Sequence, residues 1–181
     1  AGLEQQVLER LIHSSGDLSI GDLLHFSPGA CEVGVDALQA GALILTDTAM
    51  AAAAVRPMAR RTLNSEVRCL LEWAPDHAPL ESTRTAAGMH TAWKELVNRR
   101  PTPVVLIGSA PTALEELLAC VHAGAAAPSV LIGMPVGFVG VPESKRHLAE
   151  SGLPQIRLEG TRGGAGLVAA AVNALLRSSA R

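Results

Sequence analysis

Tyrosine is absent from the 181 residues, and aromatic residues of any kind make up only 2%. A core built without large rings has to come from Ala, Val and Leu, a packing that suits closely approaching helices and strands. Cysteine is scarce too. Cys31, Cys69 and Cys120 are odd in number, widely spaced and set in apolar segments, which excludes a disulfide frame and reads as buried thiols in a reducing cytoplasm. The six histidines are scattered and no His/Cys/Asp pair has metal-ligand spacing, so no metal is expected. The chain has no basic run, and its net charge of -2 excludes a nucleic-acid surface. It has no apolar stretch of membrane-spanning length and no visible signal peptide, which points away from the membrane.

Hydrophobic residues make up 48% and charged residues 18%, so the chain buries a core rather than staying disordered. With no internal repeat, linker or low-complexity tail, residues 1–181 read as one domain. "LEQQVLERLIHSSG" has Leu3, Val7, Leu8, Leu11 and Ile12 at helical spacing and stops on Ser-Ser-Gly. "FSPGACEVGVDALQAG" predicts a second helix, with Ser27 as cap, Pro28 in the first turn and Gly41 closing it. From there apolar runs of strand length, at 42–47, 66–72, 102–109, 129–135 and 154–160, alternate with helical segments. This predicts a three-layer, doubly wound α/β domain of flavodoxin-like type, with a mostly parallel five-stranded sheet and helices on both faces. In such a sheet ligands bind beyond the carboxyl ends of the strands.

The loops at those ends carry the candidates. Asp47, in "LTDTAM", either caps the following helix or meets a ligand. In "STRTAAG", Arg84 beside Ser82 and Thr83 sits in a first helical turn, where the dipole disfavours a cation, a modest hint of an anionic ligand. "IGSAPTAL" places Gly108, Ser109 and Pro111 at a helix start, whose free N–H groups suit phosphate or carboxylate. No P-loop lysine follows and G-x-G-x-x-G is not matched, which disfavours a nucleotide. "EGTRGGAG" offers a second cradle, with Arg162 as cation and Gly163, Gly164 and Gly166 permitting close approach. His13 ends the first helix, where a lone histidine is more often a C-cap than an acid. The loop "GMPVGFVGVPESK", from Gly133, has no ionisable group before Glu143.

Taken in order, these blocks, with "HSSG" at His13 and "FSPG" at Phe26, make the chain resemble the precorrin-8X methylmutase family, including the cobalt-precorrin-8 methylmutases. The resemblance runs from about His13 to the C-terminus, and the long block at Gly133 is its most specific part. It implies a homodimeric isomerase of cobalamin biosynthesis that moves a methyl group on a tetrapyrrole from carbon 11 to carbon 12, without metal or organic cofactor. It also implies that His13 is the general acid, a role that suits a residue type with an ordinary pKa of about 6.5. A flat, largely apolar ring fringed with carboxylates accounts for the remaining assignments. Pro135, Val136, Gly137, Phe138 and Val139 would lie against its face. Asp47, Thr83, Arg84, Ser109, Pro111, Thr112, Ser144, Lys145, Arg162 and Gly163 would line its edge. Family members usually begin with a further N-terminal segment, so this domain reads as lacking it. The alternatives are a tetrapyrrole-binding module without chemistry and a small anion- or nucleotide-binding flavodoxin-like protein.

Overall fold

The structure is a computed structural model and describes residues 2–181. Among the described residues six strands form one sheet: β1 (Leu24–Phe26), β2 (Ile44–Thr46), β3 (Val67–Cys69), β4 (Val104–Ile107), β5 (Val130–Gly133) and β6 (Gln155–Leu158). Their order is β1-β6-β5-β4-β2-β3, and every neighbouring pair is parallel except β1 with β6. The five parallel strands are the five the sequence predicts, in the flavodoxin-like arrangement. The sixth, β1, is a three-residue antiparallel edge not expected from the sequence. Its cause lies partly in Ser27, which caps no helix. The Ser27 hydroxyl accepts from Gln155 N–H at 2.8 Å, and Ser27 N–H donates to the Gln155 carbonyl at 2.9 Å, fastening this segment to β6.

The helices are α1 (Leu3–Ser15), α2 (Ile20–Leu23), α3 (Ala30–Gln39), α4 (Ala49–Arg61), α5 (Arg84–Leu96), α6 (Pro111–His122), α7 (Val141–Glu150) and α8 (Ala165–Ser179). Strand side chains alternate between two cores. Ile44, Val104, Leu106, Val130 and Ile132 face α1, α3, α4 and α8, while Leu45, Val105, Ile107 and Leu131 face α5, α6 and α7. One predicted boundary shifts, and one helix tolerates an internal proline. The segment 66–72 leaves the sheet after Cys69, because Leu70–Trp73 winds into a 3-10 turn whose Glu72 carboxylate accepts from Cys69 N–H at 3.0 Å. Helix α4 runs past Pro57: the carbonyl that loses its partner belongs to exposed Ala53, where water replaces it.

Buried alanines are most numerous in α8. It packs on α1, α3 and α4 at once, with Ala169, Ala170, Ala171 and Ala174 buried along with Val168, Val172, Leu175 and Leu176. Small side chains are what let three helices reach one. On the α3 side, even Gly34 has so little room that a Cβ there would lie 3.0 Å from Leu175 Cδ1. Ala171→Leu is therefore expected to lower unfolding free energy by about 1–3 kcal/mol through overpacking. Urea titration checks this, with far-UV circular dichroism confirming an unchanged helix content.

Candidate functional site

The strand order of the parallel sheet reverses between β2 and β4, and one carboxylate spans that switch. Thr48, not Asp47, caps α4, its hydroxyl accepting from Ala51 N–H at 3.1 Å. Asp47 is thereby free to reach across to the next strand's exit. Fully buried, it accepts from Ser109 N–H and Ala110 N–H, each at 2.8 Å, and from Gly108 N–H at 3.2 Å. Burial pushes its carboxyl pKa up, and these three backbone donors pull against that shift. The cradle before α6, expected to hold a ligand anion, is thus filled by the protein's own carboxylate. Asp47 and the backbone N–H of Ser109 are corrected from ligand contacts to internal partners.

The loops after β5 and β6 are tied to each other and to this switch by their backbones. Met134 N–H donates to the Ile107 carbonyl at 2.8 Å, Val136 N–H to that of Gly108 at 3.2 Å, and Gly137 N–H to that of Thr161 at 3.0 Å. Gly164 N–H donates to the Met134 carbonyl at 3.0 Å. Two glycines make this possible. Gly137 adopts φ +121°, which side-chain-bearing residues rarely do. At Gly163 a Cβ would collide with the Met134 carbonyl oxygen.

Lys145 and Ser144 are also corrected. Both lie on α7 with their side chains turned inward, where they meet carbonyls rather than solvent. Lys145 Nζ donates to the carbonyls of Gly160 at 2.6 Å and Arg162 at 2.8 Å, and the Ser144 hydroxyl to that of Val141 at 2.9 Å. Burial lowers the Lys145 pKa to about 8.

What remains outward forms a continuous rim. Phe138 is 79% exposed and Val139 93%, with Val136 beside them, while Pro135 is buried beneath. The Arg162 guanidinium pairs with Asp17, one turn beyond His13, which draws the end of α1 against the β6–α8 loop. Hydrogen bonds from Ser19 and then Arg162 hold the Asp17 carboxyl down at about 2. His13 stands in the last turn of α1, exposed, and its side chain makes no hydrogen bond to another described residue. Its helix is closed instead by Gly16, whose N–H donates to the Ile12 carbonyl at 2.8 Å, so His13 is not the cap.

Further along the rim, Thr83 caps α5, and its hydroxyl meets that of Thr112 at 2.8 Å. Thr85, which the sequence reading passed over, joins them at 3.1 Å from Thr112. The spacing of threonines at two helix starts was the available signal. Arg84 is exposed, its Nε donating to the Pro75 carbonyl at 2.7 Å. Pro111 opens α6 and lies against Gly140 of the neighbouring loop, where a Cβ would be 3.9 Å from its ring.

These features define a class: a doubly wound α/β domain whose loops at the carboxyl ends of the strands are tied together by backbone hydrogen bonds and expose apolar side chains and arginines. The chain belongs to the precorrin-8X methylmutase family (CbiC), whose profile matches residues 1–178. It is 43% identical to the precorrin-8X methylmutase of Pseudomonas aeruginosa over 94% of this chain and 82% of that protein. It is 35% identical to the cobalt-precorrin-8 methylmutase of Synechocystis, over 96% of this chain and 84% of that protein. The crystal structure of the Thermus thermophilus precorrin-8X methylmutase superposes with a TM-score of 0.86 at 39% identity, covering 99% of this chain and 86% of that one.

Two outcomes are expected from these contacts. Asp47→Ala strands three backbone donors and should cost about 3 kcal/mol of stability or more, read by urea titration. Lys145 binds its proton less tightly folded, at about 8, than at its ordinary 10.5. The unfolded chain therefore holds more protons in between, and stability rises as pH goes from 8 toward 10.5. Lys145→Met should lack that gain in parallel titrations.

Proposed function

We propose that this isomerase shifts the methyl group from carbon 11 to carbon 12 of precorrin-8X or cobalt-precorrin-8, giving hydrogenobyrinate or cobyrinate in cobalamin biosynthesis. The observation that carries the reading is the rim. Exposed Val136, Phe138 and Val139 stand on a loop locked to the one bearing Arg162, and Arg162 in turn holds the helix end bearing His13. A flat macrocycle laid on this platform would bury the apolar side chains against its face. Arg84, Thr83, Thr112, the exposed Ser109 hydroxyl and Arg162 would stand toward its carboxylates.

The chemistry asks little more of the protein. In a 1,5-sigmatropic shift the bond from carbon 11 to the methyl breaks as the bond to carbon 12 forms, with no leaving group and no net redox change. His13 lends a proton to the pyrrole ring beside the migrating methyl and recovers it afterwards, so atoms and charge balance. Its lack of another partner leaves the imidazole available for this. The nucleotide-binding alternative loses ground at the sheet's switch point, where the Asp47 carboxylate takes the place a phosphate would need. Two copies per molecule and residence in the cytoplasm belong to this proposal as well. The exposed apolar rim is a surface a second copy could share, and no helix among the described residues is long and apolar enough to cross a membrane.

His13→Ala should reduce turnover of precorrin-8X by about a hundredfold or more, while the protein still co-elutes with coloured hydrogenobyrinate. Full rate in that variant would reject His13 as the acid. Product binding by the wild type with no isomerisation would instead leave a binding module.

A further inference from the structure

On the outer face of α5 and α6, away from the loops that form the platform, three chemically different ligand groups converge. His90 comes from α5, and Glu116 and Cys120 come from successive turns of α6. His90 Nδ1 lies 2.7 Å from Glu116 Oε1, Cys120 Sγ lies 3.7 Å from the same oxygen, and Sγ lies 3.9 Å from Nδ1. All the ligand atoms fall within 4.8 Å of one another. Sequence spacing could not show this cluster, since 26 residues separate His90 from its first partner. We propose that His90, Glu116 and Cys120 form a binding site for a zinc-type divalent transition ion that bridges α5 and α6.

The distances suit such an ion. Tetrahedral zinc with ordinary bond lengths sets neighbouring sulfur, nitrogen and oxygen ligands about 3.4–3.6 Å apart. Both sulfur separations are already within a few tenths of an ångström of that. The His–Glu separation is shorter because those two groups share a hydrogen bond, and the ion would replace that bond and open the pair. A thiolate, an imidazole and a carboxylate together select zinc over magnesium or calcium, which take all-oxygen shells. Thiolate and carboxylate also neutralise a divalent charge, so Lys94, which lines the adjoining groove, does not oppose binding.

Access and rigidity are both present. The His90 side chain is 61% exposed and that of Glu116 31%. A groove of about 390 Å³, walled by Trp93, Val97, Ala123 and Ala125, opens beside His90 and Cys120 and leaves room for water as a fourth ligand. Helix α5 is held from beneath at two points, to the loop after α6 and to the 3-10 turn at Leu70. Trp93 is buried and donates to the Ala126 carbonyl at 3.0 Å, and Gly88 packs so closely that a Cβ would lie 2.8 Å from the Leu70 carbonyl oxygen. Of the three cysteines, Cys120 is the one that is not buried. This assignment does not depend on the methyl-migration reading.

The test uses chelator-treated, reduced full-length protein titrated with cobalt(II) as a spectroscopic stand-in and then with zinc. The expected result is one equivalent of cobalt with a thiolate-to-metal charge-transfer band, displaced by zinc. Cys120→Ser should abolish the band, and His90→Gln should weaken binding about a hundredfold or more. His147→Gln, which removes the separate His147–Glu115 pair between α6 and α7, should bind like the wild type. Thermal melts without metal confirm that each variant is folded. The absence of a band in the wild type, or a band of undiminished affinity in either Cys120→Ser or His90→Gln, would overturn the assignment.

Discussion

The carboxylate of Asp47 is the constraint on which the platform depends. At the switch point of a doubly wound sheet two neighbouring strands send their chains in opposite directions, leaving a crevice and a helix start with unpaired N–H groups. Many proteins leave that place for a phosphate. Here the side chain of the residue just past β2 fills it, donor by donor, and closes the crevice. The exposed surface at this end is formed instead by the loops above the crevice, which gives it the shape of a table rather than a slot. A slot suits a nucleotide. A table suits a disc.

The second consequence is mechanical. With the β2 exit fastened to the α6 start, the β5–α7 loop can hang its backbone on Gly108, the β6–α8 loop on Met134, and Arg162 can hold Asp17. Lys145 completes the chain of supports from below by gripping two carbonyls of the same segment. The end of α1 that bears His13 is thus held through several successive contacts. Membership of the precorrin-8X methylmutase family fits such a design, because an intramolecular shift gains most from a rigid surface and a well-placed proton.

The alternation of apolar runs made the layered sheet legible, since the central strands β2, β4 and β5 are buried on both faces and read as mostly continuous hydrophobicity. Strand β1 was not legible: "LHF" is three residues long, half exposed, and paired only at an edge. The site divided in the same way. Glycine, proline and apolar residues marked the loop from Gly133 as unusual, and the structure leaves Val136, Phe138 and Val139 exposed there. Polar residues were harder, because sequence names a donor or acceptor without saying what it faces. Asp47, Ser144 and Lys145 have the chemistry of ligand contacts and are used inside the fold instead. The deciding fact for Asp47 was its neighbour: Thr48 capped the local helix and released it to act 61 residues away.

The bonds that join the platform's loops run mainly from backbone to backbone. Replacing Val136, Phe138 or Val139 would leave every one of those hydrogen bonds in place, since none uses their side chains. The scaffold and its surface chemistry are therefore separately heritable. Lineages can repaint the table for a differently decorated ring, with or without a central metal, while the joinery underneath stays as it is.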